Sequence, residues 1–396
     1  MTQDAAAARH PAGWYAILLA TATIGMSNSV VFALLSNLQD EFGFANFGLG
    51  LIAGTGFVVG LVGQIVFAPL ADRGHSKRLL LLGLAAAVAG SVSFALSTTL
   101  LMLVLSRCLT GVSNSLFLPS VRAIVSSIDR DRVAQRLGVL GAVELAGFVV
   151  GPTVGGLLVG PFGLKVPFLV MGTFAVLGLL LLAPRTLPEP PTDPHRRLAF
   201  DLLRIPRVRT AILLSIALFV PVGFYDSILD RYLTDLGAPD GLIGFAFLLF
   251  GVPFALLAST GGRIVDRIGA VRGAVITAVL VTPLVVSYGL IRSPLVIVLL
   301  SGVEGVVQAL GIPAVQAAVA SSAPEGRAGA AQGLAGAGNL AMGALTAFSA
   351  GPIYAGLGSE GMFAIAALGT LAVTGLALVQ HGRSGVAPPA DTTPIS

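Results

Sequence analysis

Arg107, Glu144 and Glu304 lie deep inside sequence runs that are otherwise almost uncharged. An ionisable group at that depth is costly to bury and is a functional candidate by default. A carboxylate that alternates between a dry and a wetted setting takes up and releases a proton, which is the chemistry of proton coupling. Glu144 is the first candidate carrier and Glu304 the second. Arg107 is expected to pair with Glu144 or to exchange partners with it, and a static Arg107–Glu144 pair is the alternative reading. Asn28, Asn114, Gln308 and Asn339 add uncharged polar groups at similar depth, as expected for the lining of a substrate cavity. Asp226 and Asp230 are four apart and share a helix face. With Arg231 beside them they read as an outer salt-bridge cluster, or as part of that lining, where they would attract cations into an outer vestibule.

Other chemistries are excluded by what is missing. There is no Gly-x-x-x-x-Gly-Lys-Ser/Thr loop, and the only lysines are Lys77 and Lys165, so ATP is not bound through a P-loop. No His-Glu-x-x-His or Gly-x-Ser-x-Gly occurs, which removes the common hydrolase motifs. His10, His75, His195 and His381 are too scattered to hold a metal together, and the single Cys108 allows no intramolecular disulfide. The expectation is a protein that is not an enzyme and carries no cofactor or metal. A net charge of +4 comes from arginines in short clusters between apolar runs, a pattern that orients a membrane protein and not one that lines a nucleic-acid groove.

The elements that position these residues follow from composition. Of 396 residues, 55% are hydrophobic and 11% charged, where a soluble domain carries roughly 25% charged residues. A bilayer core about 30 Å thick is crossed by ~20 apolar helical residues, and twelve such runs are present: 14–36, 48–70, 79–98, 100–123, 137–160, 165–183, 210–234, 241–262, 272–291, 294–318, 328–355 and 361–380. Stretches such as Leu79–Val88 are apolar without alternation, which excludes barrel strands. The first run is too long for a signal-peptide core and is expected to be retained, with Trp14 and Tyr15 as interfacial anchors.

Charge asymmetry sets the expected orientation. With the N-terminus inside, the clusters around Arg73–Arg78, Arg130–Arg136, Arg196–Arg209 and Arg263–Arg272 are cytoplasmic, and the outer loops and ends keep only Lys165, Arg231 and Arg292. Both termini are therefore expected in the cytoplasm of a plasma-membrane protein. The proline- and arginine-rich stretch 184–209 reads as a cytoplasmic linker. It separates bundles at 1–183 and 210–381, and 382–396 forms a tail.

The two halves repeat each other. A shift of 194 residues superposes Leu38-Gln39-Asp40 on Tyr232-Leu233-Thr234, Asp72-Arg73 on Asp266-Arg267, Gly111 on Gly305 and Pro119 on Pro313. One further residue of shift brings Arg132 onto Arg327 and Glu144 onto Asn339. Duplicated six-helix units are a transporter feature. The expected fold is all-α and polytopic, with twelve transmembrane helices as two pseudo-symmetric six-helix bundles.

Four motifs carry a family resemblance. Pro69-Leu70-Ala71-Asp72-Arg73-Gly74-His75-Ser76-Lys77-Arg78 resembles the loop signature of the major facilitator superfamily, with Ala68 and His75 where glycines are usual. Gly262-Arg263-Ile264-Val265-Asp266-Arg267-Ile268-Gly269 is similar to its second copy. Arg107-Cys108-Leu109-Thr110-Gly111 resembles the family's Arg-x-x-x-Gly motif, and Gly147-Phe148-Val149-Val150-Gly151-Pro152-Thr153-Val154-Gly155-Gly156 is similar to the fifth-helix motif of the twelve-helix drug/proton antiporter branch. The resemblance implies gating loops at Asp72, Arg73, Lys77, Arg78, Asp266 and Arg267. It also implies a sealing seam at Gly147, Gly151, Pro152, Gly155 and Gly156; residues four apart form a stripe for close helix approach. Many members of that branch place an acid in the first helix, where this chain has Asn28.

The expected function is a monomeric secondary transporter that moves a hydrophobic or cationic small molecule outward in exchange for protons by alternating access. The alternatives are proton-coupled uptake of a small metabolite and a transport-inactive sensor or scaffold on the same fold.

Overall fold

A computed structural model describes residues 13–70, 75–128, 133–188, 200–325 and 327–383. Among these every regular element is helical, because within a bilayer a lone segment satisfies its backbone groups only by bonding to itself. The first half holds α1 (Trp14–Ser29), α2 (Leu35–Phe42), α3 (Asn46–Leu70), α4 (Ser76–Leu96), α5 (Leu100–Ile128), α6 (Val133–Phe162) and α7 (Lys165–Leu182). The second holds α8 (Pro206–Phe224), α9 (Asp230–Asp235), α10 (Asp240–Ile268), α11 (Ala270–Leu290), α12 (Pro294–Ser322) and α13 (Ala328–Arg383).

Helix α13 has 56 residues, about 84 Å at 1.5 Å per residue, far more than one crossing requires. It turns at Gly358, whose φ of 66° and ψ of −171° leave the helix and suit only a residue without Cβ. Helices α1 and α2 form one broken crossing, and so do α8 and α9. The described residues therefore make twelve crossings, one for each apolar run.

The two broken crossings are equivalent in the repeat. Between α1 and α2 the backbone tightens into a 3₁₀ turn at Val30–Ala33, and between α8 and α9 it widens into a π turn at Tyr225–Leu229. Adding 194 to 30 and 33 gives 224 and 227, so both first helices of the halves change pitch at the same place. π turns inside helices mark functional sites more often than chance. Discontinuous helices in matching positions of two repeats also point to where a transporter binds.

Packing within each half is dense. Helix α1 lies on α6 and α7, α5 on α3 and α4, and α4 on α7; in the second half α8 lies on α13, α12 on α10 and α11, and α11 on α13. The halves meet along α3 against α13 and α6 against α10. At the end that carries α2 and α9 the seam is closed. There Asn37 donates to Asp240 at 3.2 Å and Arg231 reaches Asp40 at 2.5 Å, and at mid-depth Phe57 and Phe219 meet edge to face at 6.1 Å. The closest backbone approaches across the seam, Gly50 on Ala347, Gly351 on Asn46 and Gly156 on Asp240, lie toward the closed end; further along, an atom added at Gly60 comes only within 3.7 Å of Leu340, and Gly138, Gly141, Gly333 and Gly336 have open space beside them.

A short 3₁₀ helix, Phe200–Arg204, lies across the open end of the second bundle. Its Leu202 is buried among Val208, Ala318, Val319, Ala331 and Ala335. Arg327 donates both guanidinium arms to Asp201 and holds that carboxyl below its usual range. A depressed carboxylate stabilises the contact wherever it is ionised, so the clamp is intact at neutral pH and is lost only on acidification through and below the ordinary carboxylate range.

The glycines of α6 show how closely helices approach. Gly147 and Gly151 press on the backbone of α1 at Ala22 and Met26, and Gly155 packs on Val30, all within the first bundle. Gly156 faces the other bundle, against Asp240 and Gly244, with Pro152 one turn away offering its carbonyl side to Gly244. The stripe therefore seats α1, and its last residue touches the seam. Replacing Gly147 by Leu forces a side chain into the Ala22 backbone. The expected result is loss of monodisperse protein or a fall of several degrees in melting temperature, read by fluorescence-detected gel filtration after heating.

Candidate functional site

Arg107 of α5 is 2% exposed, so its charge must be met by protein. Its Nη1 donates to the carbonyl of Asn28 at 2.5 Å and to Asn28 Oδ1 at 3.1 Å, and its guanidinium lies 4.8 Å from the centre of the Phe32 ring. The carbonyl of Asn28 faces Arg107 just before the pitch change at residue 30. Gly56 of α3 leaves the slot that the guanidinium fills; any side chain there would overlap it. Arg107 Nε is buried without a hydrogen-bond partner among the described residues. Asp226, on the π turn of the other bundle, is also buried, but among the described residues no hydrogen bond or ion pair joins it to Arg107.

The neighbour of Asp226 in sequence points the other way. Tyr225 turns into the second bundle, where its hydroxyl lies 3.3 Å from both oxygens of Glu304, and Tyr288 of α11 donates to Glu304 Oε2 at 2.7 Å. The rings of Tyr225, Tyr288 and Phe363 meet one another with centroids 5.7 to 6.3 Å apart. Glu304 is thus a buried carboxylate held by two phenols among rings packed edge-on and tilted. The same π turn carries both Tyr225, which bonds Glu304, and the buried Asp226.

The expected Arg107–Glu144 pairing is absent. Glu144 accepts from Arg122 Nη2 at 2.9 Å, with side-chain exposures of 26% for Glu144 and 54% for Arg122. A charged pair that open on helices of a membrane protein faces water and not lipid. Residues 107 and 144 have similar depth, but α5 presents Arg107 to α1 and α3, and it is Arg122 that reaches α6.

The acids of the seventh run are also placed differently from expectation. Asp226 and Asp230 are both buried, neither lining an open vestibule nor paired with Arg231. Arg231 bonds instead to Asp40 at 2.5 Å and Asp235 at 2.6 Å. Among the uncharged candidates, Asn339 donates to Ser215 at 3.0 Å, Gln308 is buried with Oε1 unpartnered, and Asn114 is half-buried on α5. Asp72 and Arg73 lie outside the described residues. Lys77 donates to the carbonyl of Ala183 at 3.1 Å, while Arg78, Asp266 and Arg267 are exposed. Among the described residues no three His, Cys, Asp or Glu side chains are grouped to hold a metal.

Tyr225, Tyr288, Gly56 and Phe32 were not singled out from sequence. A signal existed for the tyrosines: the chain has five, and a phenol inside an apolar run needs a buried partner.

Two six-helix bundles around a cleft closed at one end, with buried charges on both sides of the seam, define a multi-pass membrane protein of the secondary-transporter class. The chain belongs to the Major Facilitator Superfamily, whose family model matches residues 17–234 and again 211–393. It is a transporter-family protein and not an enzyme.

Among curated relatives it is 25% identical over 265 residues to the MFS-type transporter SLC18B1 of Homo sapiens, covering 63% of this chain and 58% of that one. The matched stretch thus spans less than two thirds of that relative. It is 24% identical over 308 residues to the multidrug resistance protein MdtG of Salmonella paratyphi C (strain RKS4594), covering 74% and 76%. Among solved structures it resembles a bacterial homologue of the human lysosomal transporter Spinster in an inward-facing, occupied conformation. There the TM-score is 0.75 at 14% identity, over 94% of this chain and 98% of that one. A D-xylose-proton symporter gives a TM-score of 0.76 at 16% identity, over 93% and 96%. At those identities the structures speak for the fold alone.

Proposed function

We propose that this chain is a monomeric proton-coupled exporter of a hydrophobic or cationic small molecule, working by alternating access in the plasma membrane. The bundles divide at the linker 184–209, and both termini and the open end face the cytoplasm. The observation that supports this reading is the π turn 225–229, whose Tyr225 bonds the buried carboxylate Glu304 in its own bundle while the turn itself packs on α3 of the other. A change of proton occupancy at Glu304 is thereby linked to the contact between the bundles. Glu304 is the carrier in this reading, and the Arg122–Glu144 pair lines the cytoplasmic cleft that admits substrate. Multidrug-resistance relatives support export of drug-like molecules, and the arginine-rich open end supports its cytoplasmic placement.

The activity is tested with purified protein in liposomes. An imposed pH gradient is expected to drive ethidium against its concentration, and a protonophore to abolish the movement; flux indifferent to the gradient removes proton coupling. Orientation has its own test in a Cys108→Ser background. Single cysteines at the exposed positions Thr99 and Glu360 are expected to react with an impermeant maleimide in intact cells, and ones at Arg204 and Ser321 to stay unlabelled. The opposite pattern reverses the topology.

A further inference from the structure

Helix α2 begins without a cap of its own. The residue before it, Leu34, is buried and offers no side-chain hydrogen bond, although the first N–H groups of a helix need acceptors. The acceptor comes from the other bundle. Ser36 donates its backbone N–H to Asp230 Oδ2 at 2.6 Å and its hydroxyl to Asp230 Oδ1 at 2.9 Å, while Thr234 Oγ1 donates to Ser36 Oγ at 3.0 Å. A carboxylate at a helix N-terminus also meets the positive end of the helix dipole. Ser36 and Asp230 are both buried, so this contact is shielded from competing water.

Its location is fixed by the repeat. Ser36 and Asp230 are 194 residues apart, the shift that superposes the halves, so they are equivalent positions that touch each other. Two equivalent positions meet only on the pseudo-two-fold axis, which puts the contact at the centre of the closed end. That end cannot open without separating them. The charged groups around it are Asp240 of α10, which accepts from Asn37, and the pair of Arg231 with Asp40 and Asp235. The Arg231–Asp40 pair also bridges the bundles, but the Asp40 side chain is 60% exposed, and pairs that open contribute little.

We propose that Asp230 is the latch of the closed end. Its carboxylate, supplied by the second bundle, completes the N-terminus of α2 only while that end is shut, and opening leaves α2 uncapped. This rests on the alternating-access reading and assigns the positioning group that holds one of its two states.

The test uses spin labels on cysteines at Thr99 and Glu360, one on each bundle at the closed end, in a Cys108→Ser background with electron–electron distance measurement. Asp230→Ala is expected to raise the ratio of long to short distances about tenfold, the size of an ordinary capping effect. Asp230→Asn is expected to stay near the parent protein, because an amide oxygen still caps, and Arg231→Ala to leave the distribution unchanged. A folded Asp230→Ala protein with the parent distribution overturns the latch, as does an equal shift in Arg231→Ala. Should Asp230→Ala not fold, Ser36→Ala keeps the backbone donor and removes one of the two bonds. A smaller shift in the same direction then supports the latch, and none overturns it. No substrate or proton gradient enters these distances, so failure of dye export and failure of the latch are separate results.

Discussion

Glu304→Gln is expected to abolish ethidium movement driven by a pH gradient, by roughly a hundredfold or more, while leaving folded protein that still binds the dye. Gln has the size of Glu and an oxygen that still accepts from Tyr288 and Tyr225, which now hold the carboxylate at 2.7 and 3.3 Å. What it lacks is a proton to exchange, and transfer by a positioned acid contributes about 10² to 10⁴ in rate. Exchange of dye for dye across the membrane survives, since that half-cycle needs no change of charge. Proton release on dye binding in detergent disappears. Retained gradient-driven flux in Glu304→Gln removes Glu304 as the carrier and returns the assignment to Glu144, whose Gln variant is the next measurement.

The ranking of those two carboxylates shows where sequence stops informing. Lipid imposes a length and a polarity on every crossing, so the twelve runs and the repeat are legible from composition and spacing alone. Depth is legible too, because residues advance along a helix axis by a fixed rise. Rotation about that axis is not. Arg107 and Glu144 share a depth, yet α5 aims Arg107 at Asn28 and leaves Arg122 to meet Glu144. The breaks at Val30–Ala33 and Tyr225–Leu229 were hidden for a related reason. No proline or glycine falls within either stretch, so the residue types there do not announce a change of pitch. Asp230 read as an outer charge because its partner, the N–H of Ser36, belongs to a backbone that sequence does not place.

Arg107 and Asp226 are buried opposite charges on the two bundles, and a double-mutant cycle tests whether they act on each other as a pair with the other large expected effect. Arg107→Gln leaves Asp226 as a buried carboxylate facing apolar helices: the whole of α3, packed on the π turn, carries no charged residue. Breaking a buried pair by removing one partner costs about 3–5 kcal/mol, whereas removing both is often close to neutral. The single variants Arg107→Gln and Asp226→Asn are therefore each expected to lower the melting temperature in detergent by several degrees. The double variant should recover most of that loss, because neither charge is then stranded. Asp226→Asn should be the milder single change, since Arg107 keeps the Asn28 oxygens and the Phe32 ring. Additive losses in the double variant would mean that the two charges do not act on each other across the seam. Gradient-driven flux separates stability from coupling in the same proteins. If the pair transmits proton occupancy from Glu304 to the bundle contact, the double variant regains its melting temperature but not its flux, because the charges at 107 and 226 that would transmit it are gone.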